Sequence, residues 1–432
     1  MKKQFIFILC GLFLCAGTIA ATDYNVLQQG AVGDGKTLNT KSLQSAIDAL
    51  HAKGGGQLYF PAGRYLTGSL QLKSNVTLYL EKEAVLLGST SPYDYPGFST
   101  EKELKVNNDH FDQALIYAEG AENIGITGEG CIDGQGRELA LTIDSLHHTG
   151  ELVDKHYNTY RKRPNTRPKL LFMRNCRKVE LRKTDFRSGA AWGLSFSLCT
   201  DLTIDSLHVE NRAYWNNDGI DISDCKYVRI SNCFINSADD GICLKSHNRG
   251  AWNDRVSISN CHIISSASAI KFGTESLGGF KNVTIDNIRI KDTFRSAIAI
   301  ESVDGAEIEN VKLENIEIVC PGRATRGMAY MSVSRLKDVP ENEKGYPEFT
   351  MFEELPSWGF YVRHVKGIQM HNVKLRLQED DFRPAFVFDR VSDVRLSDIS
   401  LPENKKAGQV VLRQTSLQSA DNAVKEYVRE VE

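Results

Sequence analysis

Val228-Arg-Ile-Ser-Asn-Cys233 returns 28 residues later as Val256-Ser-Ile-Ser-Asn-Cys261, and the fold is read from that return. Apolar and polar residues alternate within each copy, the pattern of a strand with one buried face. Further copies begin Val179-Glu-Leu, Leu202-Thr-Ile, Val283-Thr-Ile-Asp-Asn-Ile and Ala306-Glu-Ile-Glu-Asn-Val, then Ile368-Gln-Met-His-Asn-Val and Val394-Arg-Leu-Ser-Asp-Ile. Starts from 179 to 306 lie 23, 26, 28, 27 and 23 residues apart. A unit this short holds only a few strands and encloses no core alone, so the units must stack as a solenoid. Asn232, Asn260, Asn287 and Asn310 are then expected in one column, an amide ladder in a turn.

A second phrase keeps step with the first: Gly193-Leu-Ser-Phe, Gly219-Ile-Asp-Ile, Gly241-Ile-Cys-Leu, Ala269-Ile-Lys-Phe and Ala297-Ile-Ala-Ile. Two strands per coil and a less regular third predict an all-β fold, a right-handed parallel β-helix with coils ~4.8 Å apart. The register turns Ile220, Ile242, Ile270 and Ile298 inward. One outward column is then Ser195, Asp221, Cys243, Lys271 and Ala299, and the next is Ser197, Ser223, Lys245, Gly273 and Glu301. Asp218 and Asp240, each just ahead of a strand, become stacked neighbours with Asp239 beside them.

The remaining segments frame this body. Residues 41–52 have helical spacing, with Leu43, Ile47 and Leu50 on one face, and predict an N-terminal helical cap. Segments 134–168 and 321–358 lack the repeat and read as excursions walling a groove; the tail after 407 is too weakly patterned to place. Lys2 and Lys3, the apolar run Phe5 to Leu14 and the small pair Ala20-Ala21 read as a secretory signal peptide over 1–21, leaving 22–432 as a single catalytic domain. The apolar run is too short to span a bilayer, so no membrane is expected in the mature form. Without the signal, 50 basic face 55 acidic residues and no basic block stands out, so nucleic-acid binding is not expected. Eight of ten cysteines remain, several inside strand patterns, where buried small apolar residues are the ordinary reading; their spacing names no disulfide pairs.

Carboxylates held together repel, so one stays protonated while its neighbour ionises. An acid and a base in one site are what glycoside hydrolysis needs. The β-helix also offers a long, shallow face for a polymer, and Tyr214 and Trp215 sit on a turn beside the acids, where rings either stack on sugars or pack the turn. Two other readings stay open. Asp218, Asp221, Asp239 and Asp240 have the oxygens for calcium, with Lys245 or Lys271 as the base of a calcium-assisted lyase. A non-catalytic, carbohydrate-binding β-helix is the third, though it leaves the stacked acids unexplained.

Gly30-Ala-Val-Gly-Asp-Gly-Lys36, Phe60-Pro-Ala-Gly-Arg-Tyr65, Gly130-Cys-Ile-Asp-Gly-Gln-Gly136, Asn216-Asn217-Asp218 and Asp239-Asp240 together make a pattern over about residues 24–400. In these the chain resembles glycoside hydrolase family 28, the polygalacturonase family of pectinases. The resemblance implies Asp239 as general acid, with Asp218 and Asp240 on the attacking water and inversion at the sugar carbon. It implies a pectic polysaccharide or oligosaccharide as partner, no metal or organic cofactor, export to the periplasm or beyond, and a monomer. Asn216, Tyr214, Trp215, Asp221, Lys245, Lys271, Glu275, Glu301 and Arg295 are the candidate substrate-binding residues. The chain departs from the family at Ala267-Ser268-Ala269, where the family has Gly-His-Gly, and at Ala299-Ile300-Glu301, where it has Arg-Ile-Lys. An acid at 301 would repel a uronate carboxylate. Either Lys271, Arg295, Arg323 or Arg326 supplies the missing cation, or Glu301 accepts hydroxyls of a neutral sugar, as rhamnogalacturonan would present. His247, near by register, is a candidate for the absent histidine.

Overall fold

The computed structural model describes residues 22–95, 113–152, 154, 157–325, 333–341, 355–402 and 408–432. The segment read as a signal peptide, and Arg326, lie outside them. The strands pair in parallel as a β-helix, with a 12-stranded sheet along one side and a 19-stranded array making up the rest of the coils. The 12-stranded sheet carries the second phrase and is called the site sheet below. One buried apolar cluster runs up the axis from Val26 to Tyr427.

The first phrase stacks as the alternation predicts: Val179, Leu202, Val228, Val256 and Val283 are successive partners. The next copy corrects the sequence reading. Val283 pairs with Val311, not Ala306, so the repeat there is Val311-Lys-Leu-Glu-Asn-Ile316. The strand Ile308–Cys320 is 13 residues long and alternates throughout, so two offsets fit the pattern and only pairing chooses. Asn310 therefore stacks on Asn282, its Nδ2 donating to Oδ1 over 3.3 Å, and leaves the predicted column. Asn287 Nδ2 donates to Asn260 Oδ1 over 2.8 Å and Asn260 Nδ2 to Asn232 Oδ1 over 3.3 Å. All three have φ between 52° and 56°. Asn tolerates that left-handed turn conformation better than most residues, which is why it recurs there.

Glycines open the site strands for a contact reason. A Cβ on Gly241 would lie 2.5 Å from the Ala269 carbonyl oxygen of the next coil. At Gly193 it would lie equally close to the Gly219 oxygen.

Helix α1 (Thr40–Ala52) forms where predicted, with Leu43, Ile47 and Leu50 buried. Segment 134–168 holds helix α2 (Gly136–Thr149). The tail is not irregular: Val410–Arg413 and Val428–Val431 add two strands to the site sheet. The eight cysteines are free and seven are buried, in columns such as Cys176–Cys199–Cys225. No helix among the described residues is long and apolar enough to cross a membrane.

Among the described residues, much of the expected shallow face is covered. Outward residues of the site sheet are covered, from Leu170 at 2 % exposure through Asp221 at 0 % to Tyr361 and Val387 at 0 %. On the far side Leu336, Val339 and Leu355 supply that cover by packing with Tyr361, Val387 and Val411.

Candidate active site

Five site-sheet strands build the centre: Leu194–Ser197, Ile220–Ser223, Ile242–Ser246, Ile270–Ser276 and Ile298–Glu301. Ser195, Asp221, Cys243, Lys271 and Ala299 are successive partners, as the register predicts. Asp218 and Asp240 precede their strands and are buried, and their carboxylate oxygens come within 4.8 Å of one another.

Buried charges persist when they are paired and hydrogen-bonded. Lys245 Nζ lies 3.1 Å from Asp218 Oδ2 and also bonds Asp221 Oδ1. Lys271 Nζ lies 3.2 Å from Asp240 Oδ2, while the Ser268 amide donates to Asp240 Oδ1 over 3.2 Å. Asp239 differs: its nearest cation, Arg295 Nη1, stands 4.0 Å away, and a quarter of its side chain is exposed. Protein crowds it from most directions even so.

Those environments pull the carboxyls apart. Burial, reinforced by the Asp240 charge, raises Asp239 above the usual carboxylate range, and Arg295 only partly opposes it. Burial works the same way on Asp240, but Lys271, Arg295, Lys245 and the Ser268 amide outweigh it and hold Asp240 below its ordinary value. Asp218 is pushed well up by burial: Lys245 opposes this, and the nearby Asp221 charge adds to it. Burial takes Glu301 up to about 7, and its Oε2 has no hydrogen-bond partner. Below that pH Glu301 is neutral, so the repulsion expected from its sequence position applies only at higher pH.

On the side of the preceding coils, Trp192 has Lys245 Nζ 3.8 Å and Lys169 Nζ 4.8 Å from its ring centre. Trp215 is half exposed, with the Arg161 guanidinium 5.8 Å from its ring; Tyr214 lies 5.2 Å from Arg167. Asn216 Oδ1 accepts from Arg163 and from Arg167 Nη2, the latter at 3.0 Å. Arg163 and Arg167 were missed in the sequence, where Arg161-Lys-Arg-Pro-Asn-Thr-Arg167 offered an acid-free cationic run as the signal. His247, one residue past its strand, and Glu275, near the end of its own, bond each other at the far end of the two strands. Seven extended residues, roughly 20 Å of backbone, separate each from the acid end. Neither is brought to Asp239, so His247 does not take the place of a histidine beside the acids.

Among the described residues, Asp218, Asp240 and Cys243 form the one cluster with metal-ligand spacing. Calcium takes six to eight oxygens. Here both carboxylates already hold lysines, and the third group is a thiol whose pKa burial raises well above its ordinary value. These residues do not fit a calcium cage.

The family model for glycosyl hydrolases family 28 matches residues 56–320. A probable polygalacturonase of Vitis vinifera is 30% identical over 321 residues, 70% of this chain and 60% of that protein. An exo-poly-alpha-D-galacturonosidase of Dickeya chrysanthemi is 28% identical over 248 residues, 50% of this chain and 41% of that one. The chain thus spans about half of the length of these relatives. The polygalacturonase structure from Erwinia carotovora ssp. carotovora aligns with a TM-score of 0.61 at 17% identity, over 90% of this chain and 96% of that chain. At that identity the likeness carries the fold.

Proposed function

The chain belongs to glycosyl hydrolases family 28, and from that premise we propose that it hydrolyses glycosidic bonds of a pectic polysaccharide or oligosaccharide, of galacturonan or rhamnogalacturonan type, with inversion. Asp239 protonates the leaving oxygen. Asp240 takes the proton of the attacking water, and Asp218 positions that water. The observation that carries the reading is the opposite displacement of two adjacent carboxyls, Asp239 upward and Asp240 downward. Neighbouring carboxyls in unlike states supply acid and base together. The polygalacturonase relatives support a pectic substrate. The mature protein is residues 22–432, exported after loss of 1–21 and monomeric.

The pH dependence follows in sign. Asp240 must be ionised, so activity rises as pH climbs through its lowered pKa. Asp239 must be protonated, so activity falls as pH passes its raised pKa. A bell-shaped kcat/KM profile is expected, its acid limb set by Asp240 and its alkaline limb by Asp239. Lys271→Met removes the cation that lowers Asp240, so the acid limb should move to higher pH. An unmoved limb would assign the base elsewhere.

Incubation with polygalacturonan, rhamnogalacturonan and short galacturonides, followed by reducing-end and product analysis, tests the reaction. A chelator should leave turnover unchanged, and no unsaturated product absorbing in the near ultraviolet should appear. Chelator-sensitive release of such a product would establish a lyase instead.

A further inference from the structure

Ser195, Asp221, Cys243 and Lys271 make a polar or reactive stretch of the outward column that passes beside the acids, across four strands and so roughly 14 Å of coil stack. In that column Tyr117 and Phe172 stand before them, and Ala299, Tyr361, Val387 and Val411 stand after them. Phe172 is 2 % exposed and Ala299, Tyr361, Val387 and Val411 are 0 % exposed, so the stretch is covered at both of its borders; Tyr117, one strand further out, is half-buried.

The two roofs are fastened differently. On the first side, Asp154 stitches the excursion by accepting from the Asn165 amide at 2.8 Å and the Thr166 hydroxyl at 3.0 Å. Arg167 then ties it to the coils, with Nη1 donating to the Ala190 carbonyl at 2.6 Å and the Trp215 carbonyl at 2.5 Å. On the far side, Leu336, Val339 and Leu355 pack with Tyr361, Val387 and Val411 in a second apolar cluster. Glu341 latches that roof by accepting from Arg390 Nη1 at 2.7 Å and binding Arg363. Glu301, 1 % exposed, marks the border. Solvent reaches the site at Asp239 and Arg295, whose side chains are 25% and 21% exposed, and at half-exposed Trp215.

A polymer threaded through the site along the coil axis would have to displace a sealed apolar cluster on one side and a stitched loop on the other. A chain end needs neither. We infer that the site is closed at both ends and takes the end of a pectic chain, or a short oligosaccharide, instead of the interior of a polymer. This rests on the hydrolase reading above.

The test follows the wild-type protein acting on polygalacturonan, rhamnogalacturonan and reducing-end-labelled oligosaccharides made from each. Viscosity and product length are read against released reducing ends. One small product of fixed size is expected from the first time points, with viscosity nearly constant until a large share of the bonds is cut. An early fall in viscosity with products of mixed length would overturn the closed-end inference and leave the hydrolase reading standing. Release from no substrate would overturn both.

Discussion

Asp239→Asn is expected to lower kcat by about 100- to 10,000-fold, the range over which a positioned general acid contributes. KM and the unfolding curve should stay close to wild type. Asn fills the same volume and keeps an acceptor oxygen, but it has no proton to give the departing oxygen. The backbone around Asp239 is held by other groups: its carbonyl accepts from Ser265 Oγ at 2.6 Å and Ser237 Oγ at 2.9 Å, and its amide donates to the Asn217 carbonyl. The substitution should therefore not disturb the fold. A substrate whose leaving group departs as a stable anion, such as a nitrophenyl glycoside, needs little protonation. The deficit should shrink on it. A deficit of equal size on both substrates would mean that Asp239 orients the sugar and does not act as the acid. Near-wild-type turnover would remove it from the chemistry altogether.

Asp389→Ala should cost about 3–5 kcal/mol of stability, the scale for breaking a buried ion pair by removing one partner. Arg363, Asp389 and Arg413 end three consecutive site strands at the same register position. Asp389 is fully buried; its Oδ2 lies 2.5 Å from Arg363 Nη1 and its Oδ1 2.8 Å from Arg413 Nη1. The alanine leaves two guanidinium groups stacked without the anion between them. In a solenoid each coil depends on its neighbours, so hydrogen exchange should localise the loss to the coils from about Phe360 to Arg413. Asp393→Asn is the control, because asparagine removes the charge and keeps the tolerance for the φ of 56° at this position. The Asp393 bond to Arg395 is 3.1 Å long, but both side chains are about half exposed, and such pairs contribute about 0–1 kcal/mol. Equal losses from the two variants would show that burial of the ladder contributes nothing extra.

The stacking of the acids was legible because the period-two alternation leaves one register for Gly219-Ile-Asp-Ile against Gly241-Ile-Cys-Leu. The pairings from Leu194 to Ile300 follow from it except after Leu244, where the register shifts and Ser246 pairs with Ser276, so the expected column Ser197, Ser223, Lys245, Gly273, Glu301 breaks between Lys245 and Gly273. Partners reached by long side chains were not legible. Lys245 spans back to Asp218 and Asp221, and nothing in strand parity says how far a lysine reaches. Cover was hidden for a similar reason. Tyr361, Val387 and Val411 are outward positions with apolar side chains, a signal that something lies over them, but the residues that do so come from a segment with no repeat. The alternation of charge at Arg363, Asp389 and Arg413 was present in the sequence as Phe360-Tyr-Val-Arg, Phe386-Val-Phe-Asp and Val410-Val-Leu-Arg. It is readable only once those strands are known to be adjacent.

The acids and their lysines come from consecutive coils, Trp192 to Glu301, each touching only the coil before and the coil after. Heredity can therefore treat the rest of the column as interchangeable parts. A whole coil gained or lost before residue 114 or after residue 389 changes the length of the molecule without moving one carboxylate relative to another. A coil inserted between Asp218 and Asp240 would separate them by a full extra spacing, ~4.8 Å. Lineages of this architecture should vary in coil number at the extremities and hold the count between those two aspartates fixed.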